Sequence, residues 1–260
     1  MGKIAVISTN NNNDYMFYLP VVVEGWYKLG YDVLLFTDGD CLLSKKSPLS
    51  KAFEKINAFY PERTAQIYPF KGITGIDSVM LTQCSRLFAS YFVEPETRII
   101  TSDIDMLVLK DIFIDNGSID TYGRDLTNWH YPMCYISMPS KRWREVMGIS
   151  LSETLEENME RIIKAEPFHN SSEQWQRWGT DQEIITKRLE SVKGFVFHHD
   201  RGVDPETGYP LGRLDRSGWR IPTGDIIDVH LPRDPMNNYY KIAPLCGDWF
   251  GDYFKSYFEL

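Results

Sequence analysis

The chain has little of several things, and each shortage closes off a class of protein. Only four cysteines occur in 260 residues (Cys41, Cys84, Cys134 and Cys246), and no two of them form a C-x-x-C pair. Scattered thiols argue against a disulfide framework or a zinc ribbon and for a reducing compartment. Basic residues are outnumbered, 28 Lys and Arg against 36 Asp and Glu, for a formal charge of -8. A protein that grips a phosphate backbone needs a basic stripe, so nucleic acid is not an expected partner. No apolar run reaches the roughly 20 residues that span a bilayer. The apolar run in the opening MGKIAVIST is too short for a secretory leader. The expectation is a soluble, cytoplasmic chain with no transmembrane segment.

What is present is an ordinary globular composition, 43% hydrophobic and 14% aromatic. The first half alternates two periodicities. KIAVIST, YDVLLFT, AQIYPF and RIITS are short apolar runs of strand type. YMFYLPVVVEGWYKLG, PLSKAFEKINAF and IDSVMLTQCSRLFASYF between them carry helical spacing. That alternation predicts a mostly parallel α/β sheet with helices on its faces. MLVL, MCYISMP, GFVFHH and DIIDVHL predict further strands. Ser150 to Glu153 and Thr180 to Glu183 have the spacing of capping boxes and predict helix starts. Phe250, Tyr253, Phe254, Tyr257 and Phe258 form an aromatic stripe at helical spacing, open to two readings: core packing or peripheral membrane contact. No linker interrupts the chain, so residues 1–260 are expected to form one domain, a nucleotide-binding half (1–112) and a mixed half (113–260) ending in a helix.

Asp103 and Asp105, in RIITSDIDMLVL, lie between two greasy runs. Buried carboxylates need a cationic partner. D-x-D spacing alone decides nothing, since chance supplies it and Asp38-Gly39-Asp40 repeats it. Context separates the two. Asp103 and Asp105 follow an apolar strand, where α/β sheets bind ligands. Asp38 and Asp40 lead into CLLSKKSP and predict a solvated turn. On an extended backbone the two carboxylates would face one side and flank a hard cation, Mg²⁺ or Mn²⁺.

YFVEPETRIITSDIDMLVLKDI resembles the D-x-D region of GT-A-fold glycosyltransferases, and is nearest to glycosyltransferase family 8. There an acidic pair precedes an apolar strand and then Asp-Ile, here Asp111-Ile112. WGTDQEIITKRL resembles that family's Asp-Gln helix start, here Asp181-Gln182. The resemblance implies a GT-A-like, Rossmann-type mixed sheet, mostly parallel and flanked by helices. It implies a transfer from a nucleotide-sugar donor, usually a UDP-sugar, to a glycan or other hydroxyl acceptor, with Mn²⁺ or Mg²⁺ bridging the carboxylates and the diphosphate. The second half would then hold the acceptor. Arg86 falls where such enzymes carry a basic residue near the sugar-phosphate, and Thr9, Asn10 and Tyr15 fall where they hold the nucleobase. Asp181 would be a general base in an inverting enzyme or a positioning group in a retaining one, with Gln182 as its neighbour. The family's third metal ligand is a C-terminal His followed by Gly and Lys-Pro-Trp. Here DVHLPRDP offers His230 as the ligand and Arg233 for the phosphate, but the Gly and Lys-Pro-Trp are absent. The chain is a divergent relative on this reading.

Simpler readings stand beside these. Asp181 is well placed to be a helix N-terminal carboxylate. His198 and His199 compete with His230 for the metal. Trp175, Arg177 and Trp178 either pack or meet an acceptor sugar. GRLDRSGWRI, with Arg213, Asp215, Arg216 and Trp219, reads as a loop that is either a salt-bridged surface turn or a segment closing over the donor. Two other classes remain open: a nucleotide-sugar-binding module without catalysis, and a D-x-D phosphohydrolase. The latter places its motif after the first strand rather than the fourth.

Overall fold

KIAVIST forms the central strand because both of its faces are apolar. Ala5 and Ile7 point into one hydrophobic cluster and Val6 into another, so alternate residues feed opposite sides of one sheet. The computed structural model describes residues 2–10, 12–39, 48–59, 65–114, 117–123, 130–173, 177–222 and 224–259. The strands are β1 (Lys3–Thr9), β2 (Asp32–Asp38), β3 (Gln66–Phe70), β4 (Arg98–Thr101), β5 (Met106–Val108), β6 (Ile119–Tyr122), β7 (Ile136–Pro139), β8 (Val196–His199), β9 (Arg213–Asp215) and β10 (Asp228–His230). The helices are α1 (Asn13–Met16), α2 (Leu19–Lys28), α3 (Pro48–Phe59), α4 (Ser78–Ser85), α5 (Ser140–Met147), α6 (Leu155–Lys164), α7 (Thr180–Ser191), α8 (Tyr239–Ile242) and α9 (Phe250–Phe258).

Seven strands pair in the order β3-β2-β1-β4-β7-β6-β8. The β1, β2, β3 and β4 pairings are parallel, β7 runs antiparallel to β4 and β6, and β8 is parallel to β6. The mostly parallel mixed sheet flanked by helices is therefore as the sequence predicts. A second sheet, β5-β10-β9, was not anticipated. MLVL was expected as a strand, and β5 is one. It leaves the main sheet to pair with DVHL instead.

Helix α2 reaches that small sheet through Gly25. A Cβ there would lie 2.7 Å from Leu107 Cδ1 and 2.9 Å from the Val108 carbonyl, so only glycine lets the helix approach β5 this closely. Gly30 closes α2 at φ 81°. Its N–H bonds Tyr27 O, and Tyr31 N–H bonds Trp26 O, the paired bonds of a Schellman motif.

Both predicted capping boxes are displaced. Ser150 lies in a turn, and the helix begins four residues later, where Thr154 and Glu157 make a reciprocal box. At α7 the cap is Gly179, Thr180 is the first helical residue and is buried, and no side chain caps the end. Spacing alone did not show which hydroxyl faces the first turn. GRLDRSGWRI is also not wholly a loop: Arg213–Asp215 form β9, and the turn begins at Arg216.

The aromatic stripe of α9 is core. Phe250, Tyr253, Phe254 and Tyr257 are buried, and they and Phe258 place their rings 5.2–5.8 Å from Phe17. Tyr253 and Tyr257 also donate hydroxyl hydrogen bonds to the carbonyls of Phe17 and Asn13. No helix among the described residues is long and apolar enough to cross a membrane. Phe17→Ala is expected to cost about 3–5 kcal/mol, seen as a lower urea midpoint with an unchanged slope. A loss under about 1 kcal/mol would contradict this account of the α1–α9 seam.

Candidate functional site

From β1 the chain builds outward through β2 and β3, then returns to place β4 on the other side of β1. Strand order reverses between β1 and β4, and α/β sheets bind ligands beyond the carboxyl ends of strands at such a point. A cavity of about 320 Å³ opens there. Thr9, Asn10 and Tyr15 line it from the end of β1 and from α1. Asp103 and Asp105 line it from the segment after β4. Arg86, Asp181, Gln182 and His230 line it too, leaving only Arg233 of the predicted set outside, and Arg216 joins them.

The backbone at the acidic pair is a turn rather than the expected extended run. Ser102 N–H still bonds Val6 O in the large sheet, Met106 N–H bonds Asp103 O, and Leu231 N–H bonds Asp105 O in the small one. Residues 103 and 104 thus pivot between two sheets, and their neighbouring carboxylates take different partners. Asp103 pairs with Arg86, while Asp105 accepts from Arg216 Nη1 at 2.7 Å.

Arg86 continues α4 as the first residue of a 3₁₀ turn and is 6% exposed. Its Nη1 meets Asp103 and the Ser102 carbonyl, and its Nη2 meets Asp181 Oδ2 at 2.6 Å. Burial opposes the guanidinium charge, yet the two carboxylates outweigh it and hold the pKa above its ordinary value. Asp181 is 1% exposed, and its Oδ1 accepts from Gln182 N–H at 2.8 Å. There burial prevails over Arg86 and raises the carboxyl pKa. At Asp103, whose carboxylate is a third exposed, burial also pushes upward, but Arg86 prevails and lowers it.

His230 is held by the sheet register. It pairs with Asp215 on β9 and with Met106 on β5, beside Asp105. Its Nδ1 lies 3.0 Å from Asp215 Oδ2, and its Nε2 lies 3.5 Å from Asp105 Oδ2. Asp215 is itself fixed, its Oδ1 accepting from the Ser217 N–H and hydroxyl. A carboxylate that holds one imidazole nitrogen and aims the other is the usual support of a metal-binding histidine. Two carboxylates and such an imidazole suit Mn²⁺ or Mg²⁺ as a donor set. Among the described residues, no three His, Cys, Asp or Glu side chains stand close enough to enclose an ion as they are. Arg86 and Arg216 hold the two carboxylates on separate partners.

Other candidates fall elsewhere. Arg233 is exposed and absent from the cavity lining. His199 bonds buried Asp120, and His198 bonds Thr121, both on the edge strand β8. Trp178, 49% exposed, stands at the rim and also walls an adjoining cavity of about 140 Å³ with Gln83 and Arg177. Arg177 donates to the Ser171 carbonyl. Trp175 and Asp40 lie outside the described residues, and Asp38 ends β2 away from the cavity lining. Sequence reasoning named Arg216 and Asp215 only in a loop with two readings, a surface turn or a segment closing over the donor; Arg216 lines the cavity, and Asp215 stands behind His230. Polar-apolar-polar alternation over Arg213-Leu214-Asp215 was the available signal, since it predicts a strand that ends just before Arg216.

The seven-stranded mixed sheet, mostly parallel and flanked by helices, is the GT-A-like fold expected from the sequence. No protein-family model and no curated protein matches the sequence. Two solved structures of the glycosyltransferase GlyE from Streptococcus pneumoniae TIGR4 share the fold. The apo form aligns with a TM-score of 0.55 at 13% identity, and the other at 0.53 and 11%. Each alignment covers 98% of this chain and 64% of the GlyE chain, so this chain spans somewhat under two thirds of that protein's length. At such identities the likeness is one of fold.

Two outcomes follow from the geometry. Burial alone would lower the His230 pKa, but its hydrogen bonds to Asp105 and Asp215 outweigh burial and raise it above 6.5. His230 therefore contributes stability that is complete below about pH 6.5 and fades as pH rises through the folded-state value. In the metal-free protein, an imidazole midpoint by NMR above 6.5 is expected, moving down in Asp215→Asn. A wild-type midpoint below 6.5 contradicts the assignment. Arg86→Met strands the Asp181 carboxylate in the interior and is expected to cost about 3–5 kcal/mol, measured by chemical denaturation at neutral pH.

Proposed function

We propose that the protein is a metal-dependent glycosyltransferase that moves a sugar from a nucleotide-sugar donor, a UDP-sugar, to a hydroxyl of a glycan or other acceptor. One observation carries this reading. Asp103, Asp105, Arg86, Asp181 and His230 come from four segments of the chain, and all line one cavity at the strand-order reversal of a GT-A fold. Sequence context and family resemblance together singled out the same five.

In this reading Thr9, Asn10 and Tyr15 hold the nucleoside end of the donor. Asp105 and His230, with Asp103, hold the cation. When bound, that cation supplies Lewis-acid stabilisation of the charge that gathers on the departing diphosphate. Arg86 pairs with both Asp103 and Asp181 and keeps them fixed beside the sugar. Both Asp181 oxygens already accept hydrogen bonds, which favours a positioning and charge-stabilising role over that of a free base. Gln182 follows it at the start of α7. The half-exposed Trp178 face at the rim gives an acceptor ring a surface to stack on.

A thermal-shift screen of nucleoside diphosphates and UDP-sugars, with and without Mn²⁺, tests the donor, because a true donor stabilises only the folded state. UDP-sugar plus Mn²⁺ is expected to raise the melting temperature and to yield free UDP when an acceptor is present. Asp105→Ala should lose the Mn²⁺-dependent shift. Asp181→Asn should keep it and lose transfer by about 100-fold or more. A wild-type protein that answers to no nucleotide and releases no UDP would overturn the reading, and binding without turnover would leave a binding module.

A further inference from the structure

Arg216 has no place in the pattern that first singled out this site, yet it is the cation bonded to Asp105. It follows β9 directly and is fixed by the turn after it. Trp219 N–H bonds the Asp215 carbonyl at 2.8 Å, the Ser217 N–H and hydroxyl both bond the Asp215 carboxylate, and Trp219 closes the turn at φ 44°. The guanidinium reaches back to Asp105 Oδ2 at 2.7 Å, the same oxygen that His230 Nε2 approaches at 3.5 Å. Its side chain is 23% exposed, and it lines the cavity.

We propose that Arg216 is a placeholder cation: it holds Asp105 while the cavity is empty and turns to the donor's diphosphate when a divalent ion takes its place on Asp105. This rests on the donor reading above. The charges require something of the kind. Asp103, Asp105 and Asp181 against Arg86 and Arg216 leave one formal negative charge before His230 is counted. A nucleoside diphosphate adds at least two more negative charges, which a cavity already negative would repel. With a divalent ion on Asp105, Arg216 loses the one carboxylate partner it has among the described residues and becomes a free fork of donors, a geometry suited to phosphate oxygens. Each state then keeps every buried charge paired, and neither leaves Asp105 bare. Arg233, exposed and outside the lining, cannot make this exchange.

The exchange predicts effects of opposite sign, which a merely structural role would not produce. By isothermal titration, Arg216→Met should bind Mn²⁺ alone about tenfold more tightly, because no guanidinium competes for Asp105. At saturating Mn²⁺ it should bind UDP about tenfold more weakly, the scale of one charge-assisted hydrogen bond. Arg216→Lys, which keeps the charge without the fork, should shift both in the same senses by less, and it stands in if the Met variant does not fold. Arg233→Met should leave both constants unchanged. If the wild type binds Mn²⁺ and UDP but the Arg216 variants leave Mn²⁺ affinity unchanged or weaken it, the placeholder role is wrong and the donor reading stands. A wild type that binds neither overturns both.

Discussion

The buried guanidinium of Arg86 is the contact on which the rest of the site depends. It joins three segments from distant parts of the chain: the end of α4, the turn after β4 and the first turn of α7. Desolvating one cation and two carboxylates is costly, and a well-packed apolar trio would often be as stable. Its buried Nε has no hydrogen-bond partner among the described residues, a further cost of the arrangement. What this arrangement provides is placement. Asp181 is kept 1% exposed, yet at the wall of a cavity, by a partner that also fixes Asp103.

The second constraint is the division of the chain into two sheets at residues 103 and 104. The large sheet ends with Ser102 on Val6, and the small one begins with Asp105 on Leu231. A one-residue slip of β10 against β5 would turn His230 to the opposite face. Fully buried Val229 and Leu231 flank it and resist that slip by keeping their apolar faces inward. Gly25, by letting α2 press on β5, holds the small sheet against the large one's helical layer.

Much of the framework was legible in the sequence because it rests on local patterning. KIAVIST, YDVLLFT and PLSKAFEKINAF form the elements their periodicity predicts, with bounds that nearly coincide. Asp103 and Asp105 were found through their place between apolar runs, Arg86, Asp181 and His230 through resemblance, and the fold brings all five to one cavity. Arg233 was singled out because it follows His230 in sequence, but the chain leaves β10 at Leu231 and Pro232 in a direction that exposes it. Arg216 was named only in a loop with two readings, because β9 is three residues long and its pairing with β10 is a long-range event that no local window records. The turn at Asp103 was missed for the same reason: an extended run was the natural reading until the second sheet was known.

The separation of these partners along the chain has a consequence for how the protein is made. Arg86 and Asp181 are 95 residues apart, and Asp105 and Arg216 are 111. Contacts of such range form late, after local helices and the β1–β2–β3 layer have had time to assemble. During synthesis the acidic pair therefore emerges well before Arg216 and His230, which complete its surroundings. Until β9 and β10 arrive, Asp105 faces water, and the cavity has only part of its wall. Occupancy of the site is thus a report on the completeness of the whole chain, and any ligand that requires it selects finished molecules over partly folded ones.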